Sequence, residues 1–153
     1  MFETFTVHFA SSDRPPAGVI ASDDKVSVDR PVLSRALIVD DEILVAWHLE
    51  SLLEDLKLDV LAIVSDGYHA IEKAISSDVD LVFMDVNLHG DLDGIEIAEK
   101  ILARRKVPIL FVTAYADEAV LSRIRALLPN APVISKPATP AAITAALRSI
   151  LCD

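Results

Sequence analysis

The chain is 153 residues long and 52% hydrophobic but only 5% aromatic, which makes one aliphatic-cored domain with some excess and requires no metal or disulfide staple to fold. Its formal charge of −10 argues against a nucleic-acid partner, since affinity there comes mainly from Lys and Arg on phosphates, and suits a cationic partner or a metal ion. The single cysteine, Cys152, excludes an internal disulfide, and no apolar run approaches the roughly 20 residues of a membrane span, so the expectation is a cytoplasmic protein without membrane contact.

Residues 1–33 differ from everything after them. Ser11-Ser12-Asp13-Arg14-Pro15-Pro16 and Ser22-Asp23-Asp24 are polar and proline-broken, the composition of a flexible leader. Phe5, Val7 and Phe9 alternate with Thr4, Thr6 and His8, which is strand spacing with one apolar face, so an added edge strand is the other reading. Residues 34–153 form the regular part. Arg35 to Val39 is the first strand. A helix follows from Asp41 or Glu42 to Lys57, with Val45, Leu49, Leu52, Leu53 and Leu56 at core spacing and Leu44, Trp47 and His48 off that stripe. Asp59 to Ser65 is the second strand and Tyr68 to Ser76 a short helix. Leu81-Val82-Phe83-Met84 is an unbroken apolar run, buried on both faces, that delivers Asp85 to its end. The nine-residue loop from Val86 to Gly94 exceeds the usual connection and is a candidate functional loop; in it Asp91 and Asp93 are expected as turn formers and His89 as a solvated side chain. Ile95 to Arg105 is the next helix, its basic end Arg104-Arg105-Lys106 matching the negative pole of its own dipole. Pro108 to Thr113 is the fourth strand, and Asp117 caps a helix to Leu128. The fifth strand ends at Lys136, and Thr139-Pro140 starts a last helix that uses Ile143, Ala146, Leu147 and Ile150.

Strands that alternate with helices lie parallel, so their carboxyl ends share one edge, where such sheets build their sites. Asp40, Asp41, Asp85, Thr113 and Lys136 then converge. Adjacent acids beside a third destabilise a fold by mutual repulsion, so they make sense chiefly around a cation. Carboxylate oxygens without Cys or His favour a hard ion, Mg2+ before Zn2+. Lys136 would neutralise phosphoryl oxygens that the metal does not reach, and the Thr113 hydroxyl would bond one of them. Asp85, at a strand end with apolar walls behind it, is the best placed nucleophile toward phosphorus.

Val39-Asp40-Asp41-Glu42, Phe83-Met84-Asp85, Val112-Thr113-Ala114 and Ser135-Lys136-Pro137, in that order, resemble the receiver domain of two-component response regulators over residues 34–153. The resemblance implies an α/β fold, a doubly wound five-stranded parallel sheet of order 2-1-3-4-5 with flavodoxin-like receiver topology. It implies phosphoryl transfer from the histidine of a sensor kinase to Asp85. It also implies Mg2+ on Asp40, Asp41, Asp85 and the backbone carbonyl of Asn87, with Thr113 moving toward the phosphoryl group, Lys136 pairing with it, and a cis bond before Pro137. Two positions depart from the family pattern. Val133 stands where receivers usually carry Tyr or Phe, and Tyr115 stands two residues after Thr113, as in a subgroup of single-domain receivers. Thr113 and Tyr115 are therefore the switch candidates. The run from His89 to Gly94 resembles regulators paired with the atypical histidine-kinase families.

Leu44, Trp47 and His48, off the core stripe and beside the acidic edge, suit a docking face for a kinase helix. The chain stops three residues after Ile150, so the expectation is a stand-alone receiver, not an enzyme beyond its own phosphorylation and dephosphorylation. Its output would be binding of a downstream protein or phosphotransfer protein, or draining of phosphoryl groups as a sink. A receiver-like module that signals without phosphate is the alternative that Val133 supports. A flavodoxin-like cofactor-binding protein shares the architecture but needs Gly, Ser and Thr where Asp40-Asp41-Glu42 stands. A phosphatase with an aspartate nucleophile typically wants a second acid where Asn87 stands.

Overall fold

The computed structural model describes residues 33–76 and 78–152; the alternation at Phe5, Val7 and Phe9 and the rest of the leader lie outside the described residues. The elements in chain order are β1 (Arg35–Val39), α1 (Ile43–Asp55), β2 (Asp59–Val64), α2 (Gly67–Ser76), β3 (Leu81–Met84), α3 (Gly94–Leu102), β4 (Ile109–Thr113), α4 (Glu118–Leu127), β5 (Val133–Ser135) and α5 (Pro140–Cys152). The strands form one sheet in the order β2-β1-β3-β4-β5 with every pairing parallel; the parallel sheet is what the alternating pattern predicts, and the order is the one the receiver resemblance implies.

Both faces of the sheet are covered, and this is why β1, β3 and β4 read as continuous apolar runs. Leu37, Val39, Val82, Met84, Ile109 and Phe111 point to one face and pack on α2, α3 and α4. Ala36, Ile38, Leu81, Phe83, Leu110 and Val112 point to the other and pack on α1 and α5. Each fully buried Leu, Ile or Phe in these layers contributes about 1.5–3 kcal/mol through the apolar surface it removes from water. Phe83 and Phe111, on opposite faces of adjacent strands, are among the largest fully buried side chains. The edge strand β2 is less buried, and its register with β1 shifts between Ala36 and Leu37, leaving Leu61 partly exposed.

Three details differ from the expectations. In α1 the buried residues are Ala46, Leu49 and Leu53, while Val45, Leu52 and Leu56 are half-buried. The face packed on the sheet therefore runs through the small Ala46 with Leu49 and Leu53, slightly turned from the stripe drawn through the largest residues. The basic run after α3 does not serve α3 alone. That helix ends at Leu102, and the Arg105 guanidinium reaches across to donate to the carbonyls of Ala74 at 2.7 Å and Val79 at 2.6 Å, satisfying acceptors at the end of α2 and in the approach to β3. Leu33, at the junction with the leader, is buried with the α1 and α5 layer, and Ser34 is anchored through its N–H and hydroxyl to Asp80 Oδ2, both at 3.1 Å.

Candidate functional site

The backbone ladder sets the acidic edge. Val39 pairs with Met84, the Asp85 N–H donates to the Val39 carbonyl at 2.9 Å, and the Asp40 N–H donates to Val64 at 3.0 Å. Asp40 and Asp85 therefore emerge side by side, one residue beyond the last strand pair, as two parallel strands in this register require. On the other flank Thr113 pairs with Ser135, and the Lys136 N–H donates to the Thr113 carbonyl at 2.9 Å. The Lys136–Pro137 peptide is cis, as the receiver resemblance implies.

The side chains meet in this frame. Lys136 Nζ lies 2.9 Å from Asp40 Oδ2, 3.1 Å from Asp85 Oδ2 and 3.5 Å from Glu42 Oε1. The second oxygens of both acids take backbone donors, Glu42 N–H on Asp40 Oδ1 at 2.9 Å and Asn87 N–H on Asp85 Oδ1 at 3.2 Å. Asp40, Asp85 and Thr113 are all buried. Thr113 Oγ1 accepts from the Tyr115 N–H at 3.3 Å, while the Tyr115 side chain points to solvent, the residue being 70% exposed. Val133 is half-buried and packs against the core layer beneath α4.

Asp40, Asp41 and Asp85 each offer an oxygen within 4.8 Å of the others. With Glu42 beside them, these carboxylates outnumber the Lys136 ammonium among the described residues, and the net negative charge left at the edge is one a divalent cation offsets. Asp41 Oδ1 is buried and has no hydrogen-bond partner among the described residues. An unsatisfied buried carboxylate oxygen is costly, so it marks a place where a ligand belongs. With oxygen donors only, the site fits a hard ion that retains water ligands. Burial pushes the Asp85 carboxyl above the ordinary aspartate range; Lys136 opposes this and the charge of Asp40 reinforces it. Burial works against the Lys136 ammonium too, but Asp40 and Asp85 outweigh it and hold the group above its usual value.

Two loop residues make contacts beyond those their residue types predict. The His89 side chain is exposed, as expected, yet its backbone N–H donates to Asp41 Oδ2 at 2.9 Å and its Nδ1 makes a close contact with the same oxygen. Burial raises the Asp41 carboxyl, yet the backbone and ring hydrogen bonds of His89 outweigh it and lower the group below its ordinary value. Asp93, expected as a turn former, is the N-cap of α3 in a capping box with Glu96, a pairing its D-x-x-E spacing could have revealed. Its carboxylate also takes the Arg123 guanidinium of α4 at 2.7 and 3.2 Å.

Leu44 is 72% and Trp47 55% exposed on α1, and His48 Nε2 lies 3.4 Å from the Ala138 carbonyl. Leu44, His48, Ala114, Lys136 and Pro137 share the wall of a cavity of about 420 Å³ that opens beside the acidic edge; Trp47 lies outside its lining. A larger cavity of about 720 Å³ lies between α2, α3 and the loop that carries His89, away from Asp85. Among the described residues, no helix is long and apolar enough to cross a membrane.

The response regulator receiver domain family matches residues 36–148. The chain belongs to that family, and the domain is a module of two-component signalling. It is 32% identical over 105 residues to protein-glutamate methylesterase/protein-glutamine glutaminase 2 of Carboxydothermus hydrogenoformans, covering 67% of this chain and 29% of that protein. It is 34% identical over 97 residues to the transcriptional regulatory protein PdtaR of Mycobacterium tuberculosis, covering 63% and 47%. Among solved structures, the signal receiver domain of a modulated diguanylate cyclase from Desulfovibrio desulfuricans matches with a TM-score of 0.68 at 33% identity, covering 77% of this chain and 90% of that one. A CheY-like receiver from Methanospirillum hungatei matches with a TM-score of 0.67 at 25% identity, covering 78% and 94%. The chain thus spans less than half the length of these two curated relatives but most of the two isolated receiver structures.

Proposed function

We propose that Asp85 is the phosphoacceptor of a cytoplasmic phosphorelay, taking a phosphoryl group from the phosphohistidine of a sensor kinase. The observation that carries this reading is the Lys136 ammonium within hydrogen-bond distance of both Asp40 and Asp85, at the edge that also holds the unpartnered oxygen of Asp41. A bond forms between an Asp85 oxygen and phosphorus as the phosphorus–nitrogen bond to the kinase histidine breaks, and the imidazole leaves with that bond's electron pair. Mg2+, held by Asp40, Asp41, Asp85 and the Asn87 carbonyl, would supply neutralisation of the phosphoryl oxygens. Lys136 exchanges its ion pair with Asp85 for one with the phosphoryl group. Thr113, whose oxygen accepts from the Tyr115 N–H, keeps its own hydroxyl hydrogen to donate to a phosphoryl oxygen. Burial behind Asp85 limits the water that would hydrolyse the acyl phosphate. Leu44, Trp47 and His48, solvent-facing beside this edge, form the surface on which a kinase helix docks, and output passes to a downstream protein or phosphotransfer protein, or ends in a sink.

Incubation with Mg2+ and acetyl phosphate, followed by mass spectrometry, tests the proposal. One added phosphoryl group is expected on the wild type and none on Asp85→Asn. An unmodified wild type would leave the phosphate-independent module, the reading favoured by Val133 at a position that lacks a swinging aromatic ring. Decay of the modified protein separates a short-lived sink from a longer-lived messenger. In the same assay with a partner-binding arm, Tyr115→Ala is expected to change decay or binding; a variant indistinguishable in all of these removes Tyr115 as the switch.

A further inference from the structure

The contact between His89 and Asp41 joins residues 48 apart in the chain, and both a backbone donor and a ring nitrogen converge on the same oxygen. The loop that delivers them is pinned. The Val86 carbonyl accepts from the N–H groups of Leu88 at 3.2 Å and Gly94 at 2.8 Å, Leu88 is buried in the core layer, and Asp93 closes the loop as the cap of α3. Asp41 divides its two oxygens in consequence. Oδ2 is held by His89, while Oδ1 is buried and without a hydrogen-bond partner among the described residues.

We propose that His89 is a positioning residue of the divalent-ion site, fixing the Asp41 carboxylate through Oδ2 so that Oδ1 is left for the ion shared with Asp40 and Asp85. The inference rests on the ion site proposed above. His89 occupies Oδ2 alone, and the oxygen it leaves without a hydrogen-bond partner among the described residues is the buried Oδ1. Holding a ligand in one rotamer before the ion arrives removes an ordering cost that binding would otherwise bear, which is how outer-sphere partners raise metal affinity. The His89 side chain is 92% exposed, so its removal leaves the core untouched.

The test is Mg2+ binding to the full chain by titration calorimetry, for wild type, His89→Ala, His89→Asn and His89→Gln. Asparagine places an amide N–H where the imidazole Nδ1 stands; glutamine reaches past it. The expected result is a dissociation constant raised about 10-fold in the Ala and Gln variants and largely restored in Asn, with metal-free melting temperatures close to wild type. Binding by His89→Ala as tight as wild type or tighter would overturn the proposal, and so would an Asn variant as weak as Ala. Absence of Mg2+ binding in the wild type, or binding indifferent to Asp41→Asn, would overturn the ion site itself, a result distinct from a loss confined to the His89 series.

Discussion

Gly94 shows at the scale of one residue how closely the backbone around Asp85 is framed. A Cβ built at this position would lie 1.9 Å from the Asp85 carbonyl oxygen and 2.9 Å from the Val86 Cα. Those are backbone atoms of the segment that leaves β3, and they have no rotamer by which to yield. Only a residue without a side chain lets the start of α3 pass this near, and the Gly94 N–H uses the approach to bond the Val86 carbonyl. Gly94→Ala is therefore expected to push α3 and the end of β3 apart, at a cost of about 3 kcal/mol. It should also slow modification of Asp85 by acetyl phosphate. Urea unfolding checks the first effect, and a loss well under 1 kcal/mol would mean that the backbone relaxes freely. Gly67 is also tight, since its added Cβ would lie 2.8 and 2.9 Å from side-chain atoms of Ile97, itself fully buried in the core.

Between elements, the polar contacts tie the helices to the acidic edge of the sheet. Asp93 accepts from the N–H groups of Ile95 and Glu96 at the start of α3 and from Arg123 of α4, so one carboxylate joins two helices and ends the loop carrying His89. Burial raises the Asp93 carboxyl, but the Arg123 hydrogen bond and the capping N–H groups outweigh it and hold the group below its ordinary range. A folded-state value lower than the unfolded one makes this contribution complete above the unfolded value, about 3.9, and lost as pH falls through the folded value. Asp93→Ala is accordingly expected to cost about 1–2 kcal/mol at pH 7, chiefly as a lost cap. The gap between variant and wild type should narrow on going to pH 3; urea melts at the two pH values check it, and a constant gap would contradict the assignment. Arg105 performs the matching service on the far side, binding carbonyls of Ala74 and Val79 where α2 turns into β3.

For the whole molecule, the chain carries a formal charge of −10, and three of its carboxylates crowd one end of the sheet with a single ammonium among them. Mg2+ bound there should stabilise the folded state by mass action, and about a hundredfold excess over the dissociation constant gives roughly 2.7 kcal/mol, a rise in melting temperature on the order of 10 °C. Thermal melts with and without millimolar Mg2+ test this; no shift would count against the ion site, and Asp41→Asn should lose most of the response. The parallel sheet was legible from residue order, and its strand order from the resemblance to receivers. Short apolar runs ending in Asp40, Asp85 and Thr113, alternating with helical periodicity, can be satisfied only by a parallel sheet covered on both faces, because burial and period are local properties. The placing of chemistry-bearing residues at strand ends followed from the same rule. Tertiary structure alone decided the rest: Ala46 rather than Val45 against the sheet, Arg105 at the end of α2, Gly94 against the Asp85 backbone, and His89 on Asp41. These contacts join segments far apart in the chain, or depend on how a helix is turned on its sheet. No period records them, since each is fixed by packing that exists only once the layers have closed.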